Sequence, residues 1–432
     1  MAYIPKKRKL KLNYKVAVPL LILTIFIAYF AVNLLLKETS VTKENYSVCD
    51  FSNEKTKTVL DKKFKDTYAF NDYLFYGESL SLFKDTYTGE DSDDMSGKTL
   101  KLKDVCSDQT YAFVLDRKVD RRILLGNIKP GFYEMYLVED LKEKRLYAND
   151  TISESIYTVT RNGKNTKVEF IANQKLLADY KVTLQQPYAF LNVQEKKVAK
   201  NEYDIVIDPA GNDNSLSNGA SGNGISEAEE AYKAAKMLKE KLEAKGLKVL
   251  ILRDENEKID TYGKNGRLAK AYQVRAKYYI RLGFAEDGDS NLHGFNIFYS
   301  EHSTKMLASQ IGYDFGKKTK LEGSTIYMGV NDDVGVISAG LVESELDGRS
   351  VYDGDLYVRE TGGKATQAGM YSEHAKEGTA SFAKDNIYGM NAINLYFGFI
   401  SNKSDITYWK EEKELIIDVL ANSITTYLNI EE

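Results

Sequence analysis

Histidine is scarce in this chain, at three residues in 432, and tryptophan occurs once. So few imidazoles limit how any transition metal could be held. Five prolines and 30 glycines, set against 43% hydrophobic residues, exclude collagen-like, Pro-rich and wholly disordered material. Basic excess is also missing: the formal charge is −4, and no dense basic field follows the first 15 residues. Without such a field the chain offers no footprint to a phosphate backbone, so no nucleic-acid partner is expected. The length is enough for two or three domains.

The exception to the even spread of charge is the N-terminus. Residues 1–15 carry Lys6, Lys7, Arg8, Lys9, Lys11 and Lys15 with no acidic residue. Residues 16–36, VAVPLLILTIFIAYFAVNLLL, form a run of 21 without a charge. At about 1.5 Å per residue such a run matches a hydrocarbon core of roughly 30 Å. It ends LLLKE with no small-residue cleavage pattern, which reads as a retained transmembrane anchor. Basic flanks stay inside, so the expected arrangement is a single-pass cell-membrane protein. Its cytoplasmic tail is 1–15, its anchor 16–36, its stem 37–50, and everything beyond is extracytoplasmic. Both cysteines, Cys49 and Cys106, lie in the exported part, where one disulfide or two separate thiols are each compatible with the sequence.

Residues 51–200 read as a small, mostly β domain. TYAFVLD, RRILLG, GFYEMYLV, SIYTVT, TKVEF and YKVTL have β-branched and aromatic content. Lys129-Pro130-Gly131 precedes one run, and Arg161-Asn162-Gly163-Lys164 joins SIYTVT to TKVEF as a hairpin. The acidic stretch ESLSLFKDTYTGEDSDDMSGK reads as an exposed loop. The aromatics fit a packed core better than a sugar-stacking platform. Nothing here has catalytic spacing, and a spacer or contact role is expected.

From residue 201 to 432 the pattern changes to strands alternating with helices, which argues for an α/β fold with a mostly parallel sheet covered by helices. YDIVID ends at Asp208-Pro209, where proline stops a ladder. Ser226 with Glu229 reads as a capping box for the helix EAEEAYKAAKMLKEKLEAKG, closed by Gly246. LKVLILRD, KYYIRLGF and GFNIFYS read as further strands, separated by GRLAKAYQVRA and followed by a helix at about 303–320.

These motifs, in this order, resemble the zinc-dependent N-acetylmuramoyl-L-alanine amidases that cut the lactyl amide of peptidoglycan. VIDP at 206–209, GISE at 224–227, LILRD at 250–254, Arg267 with Ala271, HGFNIFY at 293–299 and MNAINLYFGFISN at 390–402 carry the resemblance. It covers about half the chain. The resemblance implies a site in which His, Glu and His hold Zn²⁺ and a further Glu acts as general base. Here the first His position is Gly211, the second is Gly283 and the general-base position is Tyr396; only Glu227 keeps its place. One carboxylate does not hold catalytic zinc, so no cofactor is expected, with zinc required only by the alternative of an active amidase with a rearranged site. An all-oxygen set of Asp213, Glu227 and Glu286 would favour Ca²⁺ or Mg²⁺. Arg281 shares a strand face with Gly283 and either pairs with the orphaned Glu227 or is solvated. His293, His302 and His374 lie elsewhere and read as surface or capping residues.

The long insertion between about 321 and 388 either borders a substrate groove or forms a surface lid. The expected partners are peptidoglycan or muropeptides, the membrane through residues 16–36, and other cell-wall remodelling proteins. The alternative without ligand binding is a scaffold for envelope proteins.

Overall fold

The structure is a computed structural model, and it describes residues 62–430 apart from 76–78, 88–91, 93–94, 116–121, 126–127, 149–154, 162–163, 172–187, 196–201, 215–217, 262–264, 301–303, 327–333, 340, 344–349 and 353–389. The basic tail, the 16–36 run, the stem, Cys49, YKVTL, His302, His374 and much of the 321–388 insertion lie outside the described residues. Among the described residues no helix is long and apolar enough to cross a membrane. Cys106 is disulfide-bonded, and the chain has one other cysteine, Cys49. Tyr46–Glu432 form one compact unit.

The first part of that unit is β-rich. Its strands are β1 (Thr67–Phe70), β2 (Asp72–Phe75), β3 (Ser79–Phe83), β4 (Thr99–Asp104), β5 (Thr110–Val114), β6 (Ile123–Leu124), β7 (Gly131–Glu139), β8 (Lys142–Ala148), β9 (Ser155–Arg161), β10 (Lys164–Ile171) and β11 (Phe190–Glu195). An eight-stranded sheet runs β1-β8-β7-β11-β10-β9, with β4 added on β7 and β5 on β4; a second sheet runs β2-β3-β6. β9 and β10 pair antiparallel, the strand pairing expected from the sequence. Phe70, Tyr73, Phe75, Tyr133 and Phe170 are buried in one apolar cluster, so these aromatics are core and not a platform.

One expectation for this part is corrected. The stretch read as an exposed loop from residue 78 opens instead with β3, all five of whose residues are buried. Leu80 and Leu82 enter the β-rich core, while Phe83 joins Leu74 and Tyr87 in the core of the following α/β part. Its acidic tail masked an apolar strand. The same three residues pack the β-rich part into its neighbour. The Arg122 guanidinium adds to this contact, lying 3.9 Å from the Tyr427 ring centroid.

The α/β part adds β12 (Ile205–Pro209), β13 (Ser221–Gly222), β14 (Ile225–Ser226), β15 (Val249–Ile251), β16 (Tyr278–Ala285), β17 (Asn296–Ser300), β18 (Val336–Ala339), β19 (Leu341–Glu343), β20 (Ser350–Tyr352) and β21 (Asn391–Phe399). Its helices are α1 (Glu227–Ala244), α2 (Arg267–Gln273), α3 (Met306–Lys318) and α4 (Lys403–Tyr427). The central sheet runs β15-β12-β16-β21-β17-β18. All its neighbours pair parallel except β21 with β17. Alternation along each strand sends Ile205, Ile207, Ile280, Leu282, Ile393 and Leu395 to one face, where Ala234, Leu238 and Ile311 of the helices meet them. Val206, Tyr279, Phe298 and Ala392 point to the other face, against Leu268, Ala271 and Tyr272 of α2. The sheet is therefore covered on both faces, as its near-continuous apolar strands demand.

Helix α1 starts where expected, at Ser226, but that side chain makes no capping hydrogen bond, which corrects the capping box. Ser226 is held in the short β13–β14 ladder, and the first helical N–H, that of Glu227, donates to the Ala220 carbonyl at 2.9 Å. Acidic Glu227, Glu229 and Glu230 in the first turn still complement the helix dipole. Gly246 closes the helix at φ +83, a left-handed position that glycine takes without strain.

Candidate functional site

In an open α/β sheet ligands sit beyond the carboxyl ends of the parallel strands. Here those ends are Asp208-Pro209 of β12 and Gly283 of β16, with Tyr396 of β21 alongside Gly283 in register. Two buried arginines fix the loop that leaves β12. Arg253 directs all its donor nitrogens to backbone carbonyls: Nε to Pro209, Nη1 to Asp254 and Glu255, and Nη2 to Ala210 and Ala228. Burial pushes its guanidinium down to about 10. Arg267 of α2 donates from Nη1 to Asp208 Oδ1 at 2.6 Å and to the Pro209 carbonyl at 2.8 Å, and from Nη2 to Thr261 Oγ1 at 2.6 Å and Asp213 Oδ2 at 3.3 Å. The Tyr279 hydroxyl donates to Asp208 Oδ2, and burial beside that carboxylate raises the hydroxyl well above the ordinary tyrosine range.

Glu227 sits at the head of α1, 8% exposed. Its Oε2 accepts from the Ala220 N–H at 3.0 Å and its Oε1 from the Phe284 N–H at 3.0 Å. Burial raises its carboxyl above the ordinary glutamate range, against the two N–H donors and the Arg281 charge, which favour the ionised form. Phe284 offers its N–H because the β16–β21 ladder slips between Gly283 and Ala285. That irregularity leaves a backbone donor for a side chain to take.

The glycines at the two histidine positions are tightly enclosed. Gly211 has φ +76, and a Cβ on it would lie 2.7 Å from the Ala228 Cβ and 2.9 Å from the Asn218 carbonyl oxygen. At Gly283 a Cβ would lie 2.7 Å from Glu227 Oε1, 2.9 Å from the Ala210 Cβ and 3.4 Å from Tyr396 Cδ1. The Tyr396 ring meets Phe298 edge-on at 6.0 Å.

Glu227, Gly211, Gly283 and Tyr396 are thus gathered at one end of the sheet. Arg281 is buried two register rows below, level with Asp208 and Asn394, and its charge acts on Glu227. The reading of Arg281 as a solvated side chain is corrected: it is 8% exposed. The all-oxygen set does not assemble. Asp213 is held by Arg267 and by the Thr261 N–H at 2.6 Å, and Glu286 is exposed. Among the described residues no three His, Cys, Asp or Glu side chains converge as a metal site. His293 is exposed, and its charge acts on Asp405. Sequence reasoning missed the two backbone donors to Glu227; the slipped ladder that frees one of them has no signature in the residues.

The donor set does not fit a catalytic zinc. Three nitrogen, sulfur or oxygen side chains are the usual minimum, and the positions available hold two glycines and a carboxylate already bonded to two backbone N–H groups.

Residues 205–346 match the family described as N-acetylmuramoyl-L-alanine amidase, so the resemblance read from the motifs holds for that segment. Solved structures similar to the chain include the catalytic domain of CwlV, an N-acetylmuramoyl-L-alanine amidase from Bacillus (Paenibacillus) polymyxa var. colistinus. It is 18% identical, with 52% of this chain and 98% of that one covered, at a TM-score of 0.36. Another is AmiC2 of Nostoc punctiforme, 14% identical over 54% of this chain and 99% of that one, at 0.35. The CwlD amidase from Clostridioides difficile, solved in complex with the GerS lipoprotein, is 16% identical over 53% of this chain and 100% of that one, at 0.35. No match was found among curated protein sequences.

Proposed function

We propose that this protein is a membrane-anchored, extracytoplasmic component of the cell wall machinery whose amidase-like domain binds peptidoglycan, or a partner that remodels it, without zinc catalysis. The anchor is the 16–36 run and the basic tail faces the cytoplasm. One observation carries the reading: at the places where a zinc amidase has its two histidines, this chain has Gly211 and Gly283, each with side-chain space closed by neighbouring atoms. A site without ligands or general base has no means to generate a nucleophile from water. The amidase match over residues 205–346 supports peptidoglycan as the class of ligand.

Co-sedimentation of the detergent-solubilised full chain with purified wall sacculi tests this. The reading expects the protein in the pellet and the sacculi intact, with no stem peptide released. Retention in the supernatant would favour the scaffold reading. Release of stem peptides that stops on chelation would establish the active-amidase alternative.

A further inference from the structure

We propose that Glu227 acts as an internal cross-link that closes the remnant pocket, so that histidine and this carboxylate arrangement exclude one another at Gly283. The inference rests on the reading that the site holds no zinc, and it concerns what the residues there do instead.

The argument begins with connectivity. Glu227 clasps Ala220 from two directions: its backbone N–H donates to the Ala220 carbonyl at 2.9 Å, and its Oε2 accepts the Ala220 N–H at 3.0 Å. Its other oxygen accepts the Phe284 N–H at 3.0 Å. One side chain therefore ties the loop before α1 to the end of β16, two segments joined only distantly in sequence. A ligated metal joins such segments from outside the chain; here a carboxylate joins them from within. Each oxygen has a backbone donor, which satisfies a buried charge that would otherwise be costly.

Steric facts extend the argument. A Cβ at 283 would lie 2.7 Å from Glu227 Oε1, so any larger side chain there displaces the carboxylate and releases both N–H groups. At 211 the obstruction comes from the Ala228 Cα at 3.1 Å, the Ala228 Cβ at 2.7 Å and the Asn218 carbonyl oxygen at 2.9 Å. Those atoms cannot rotate away, and φ +76 adds strain for any L side chain. Replacing the glycines by histidine therefore does not rebuild a ligand set around the carboxylate as it stands.

The test is amide hydrogen exchange on the full chain in detergent micelles, read at Ala220 and Phe284. Glu227→Ala is expected to raise exchange at both by at least about tenfold, since a hydrogen bond to a charged acceptor contributes that much, while β21 is unchanged. Gly283→His is expected to raise the same two amides. Should Glu227→Ala fail to fold, Glu227→Gln serves: its single acceptor oxygen is expected to keep one amide protected and release the other. Exchange at both amides left unchanged by loss of the carboxylate would overturn the proposal. So would stoichiometric Zn²⁺ in equilibrium dialysis of the Gly211→His, Gly283→His double variant. Zinc in the unaltered protein would instead overturn the functional reading, so the two failures are distinguishable.

Discussion

Two buried polar regions lie within one loop of each other, and they are built differently. In the first, Arg253 and Arg267 grip the end of β12: one by five backbone carbonyls, the other by Asp208, Asp213, Thr261 and the Pro209 carbonyl. In the second, Glu227 takes two backbone donors and feels the Arg281 charge, with two glycines where side chains would project. The first region is a framework in which two guanidinium groups take backbone carbonyls and carboxylates; in the second a buried carboxylate takes main-chain N–H groups. The difference teaches that the scaffold around a site and the atoms that do chemistry in it are separable: the strand-end geometry needs the arginines, and it forms without imidazoles.

Breaking the framework should have the largest effect. Arg267→Ala strands Asp208 and Asp213 in the interior, and removal of one partner from a buried pair costs about 3–5 kcal/mol. Chemical denaturation monitored by fluorescence should show the loss; a change below about 1 kcal/mol would mean that water reaches those carboxylates.

The carboxylate side of the comparison is sharpened by pH. Because burial raises the Glu227 carboxyl above its ordinary value of 4.5, folding favours the protonated form there. That contribution is fully present below 4.5 and is lost as pH rises through the raised folded value. Glutamine does not titrate, so the thermal midpoint of the wild type relative to Glu227→Gln should fall as pH is raised from about 4 towards neutrality. A midpoint difference that is flat with pH, or that grows in favour of the wild type, would contradict the burial argument.

The smallest effect belongs to charges outside both regions. Lys241 of α1 and Asp418 of α4 pair at 2.5 Å on the surface, with side chains 32% and 54% exposed. Asp418→Asn should change stability by less than about 1 kcal/mol, and less still in high salt. An effect as large as that of Arg267→Ala would erase the distinction between framework and surface.

How much of this was legible in the sequence depended on how local the signals are. Asp208-Pro209, the LILRD run and GFISN identify strand ends because proline, charge and an apolar run change over within a few residues, and the sheet carries them as expected. Gly211, Gly283 and Tyr396 were placed at the site by motif order alone. The partners of Glu227 were not legible, since a backbone N–H has no residue identity and its availability depends on a slip between β16 and β21. In the β-rich part, β8 escaped notice because KEKRLYA reads as charged, yet its Arg145 is fully buried among Phe64, Tyr136, Tyr188 and Phe190. The β7–β8 turn uses Asp140 and Leu141 at φ 49 and 61, without the glycine that usually announces such a turn.

Metal content of the full-length protein is the most direct test of the central claim. After exposure to excess Zn²⁺ and exhaustive dialysis, elemental mass spectrometry should find far less than one equivalent of zinc, because neither glycine presents a ligand and Glu227 is bonded to the main chain. About one equivalent, retained at the strand ends and removed together with muramoyl–alanine cleavage by a chelator, would contradict it.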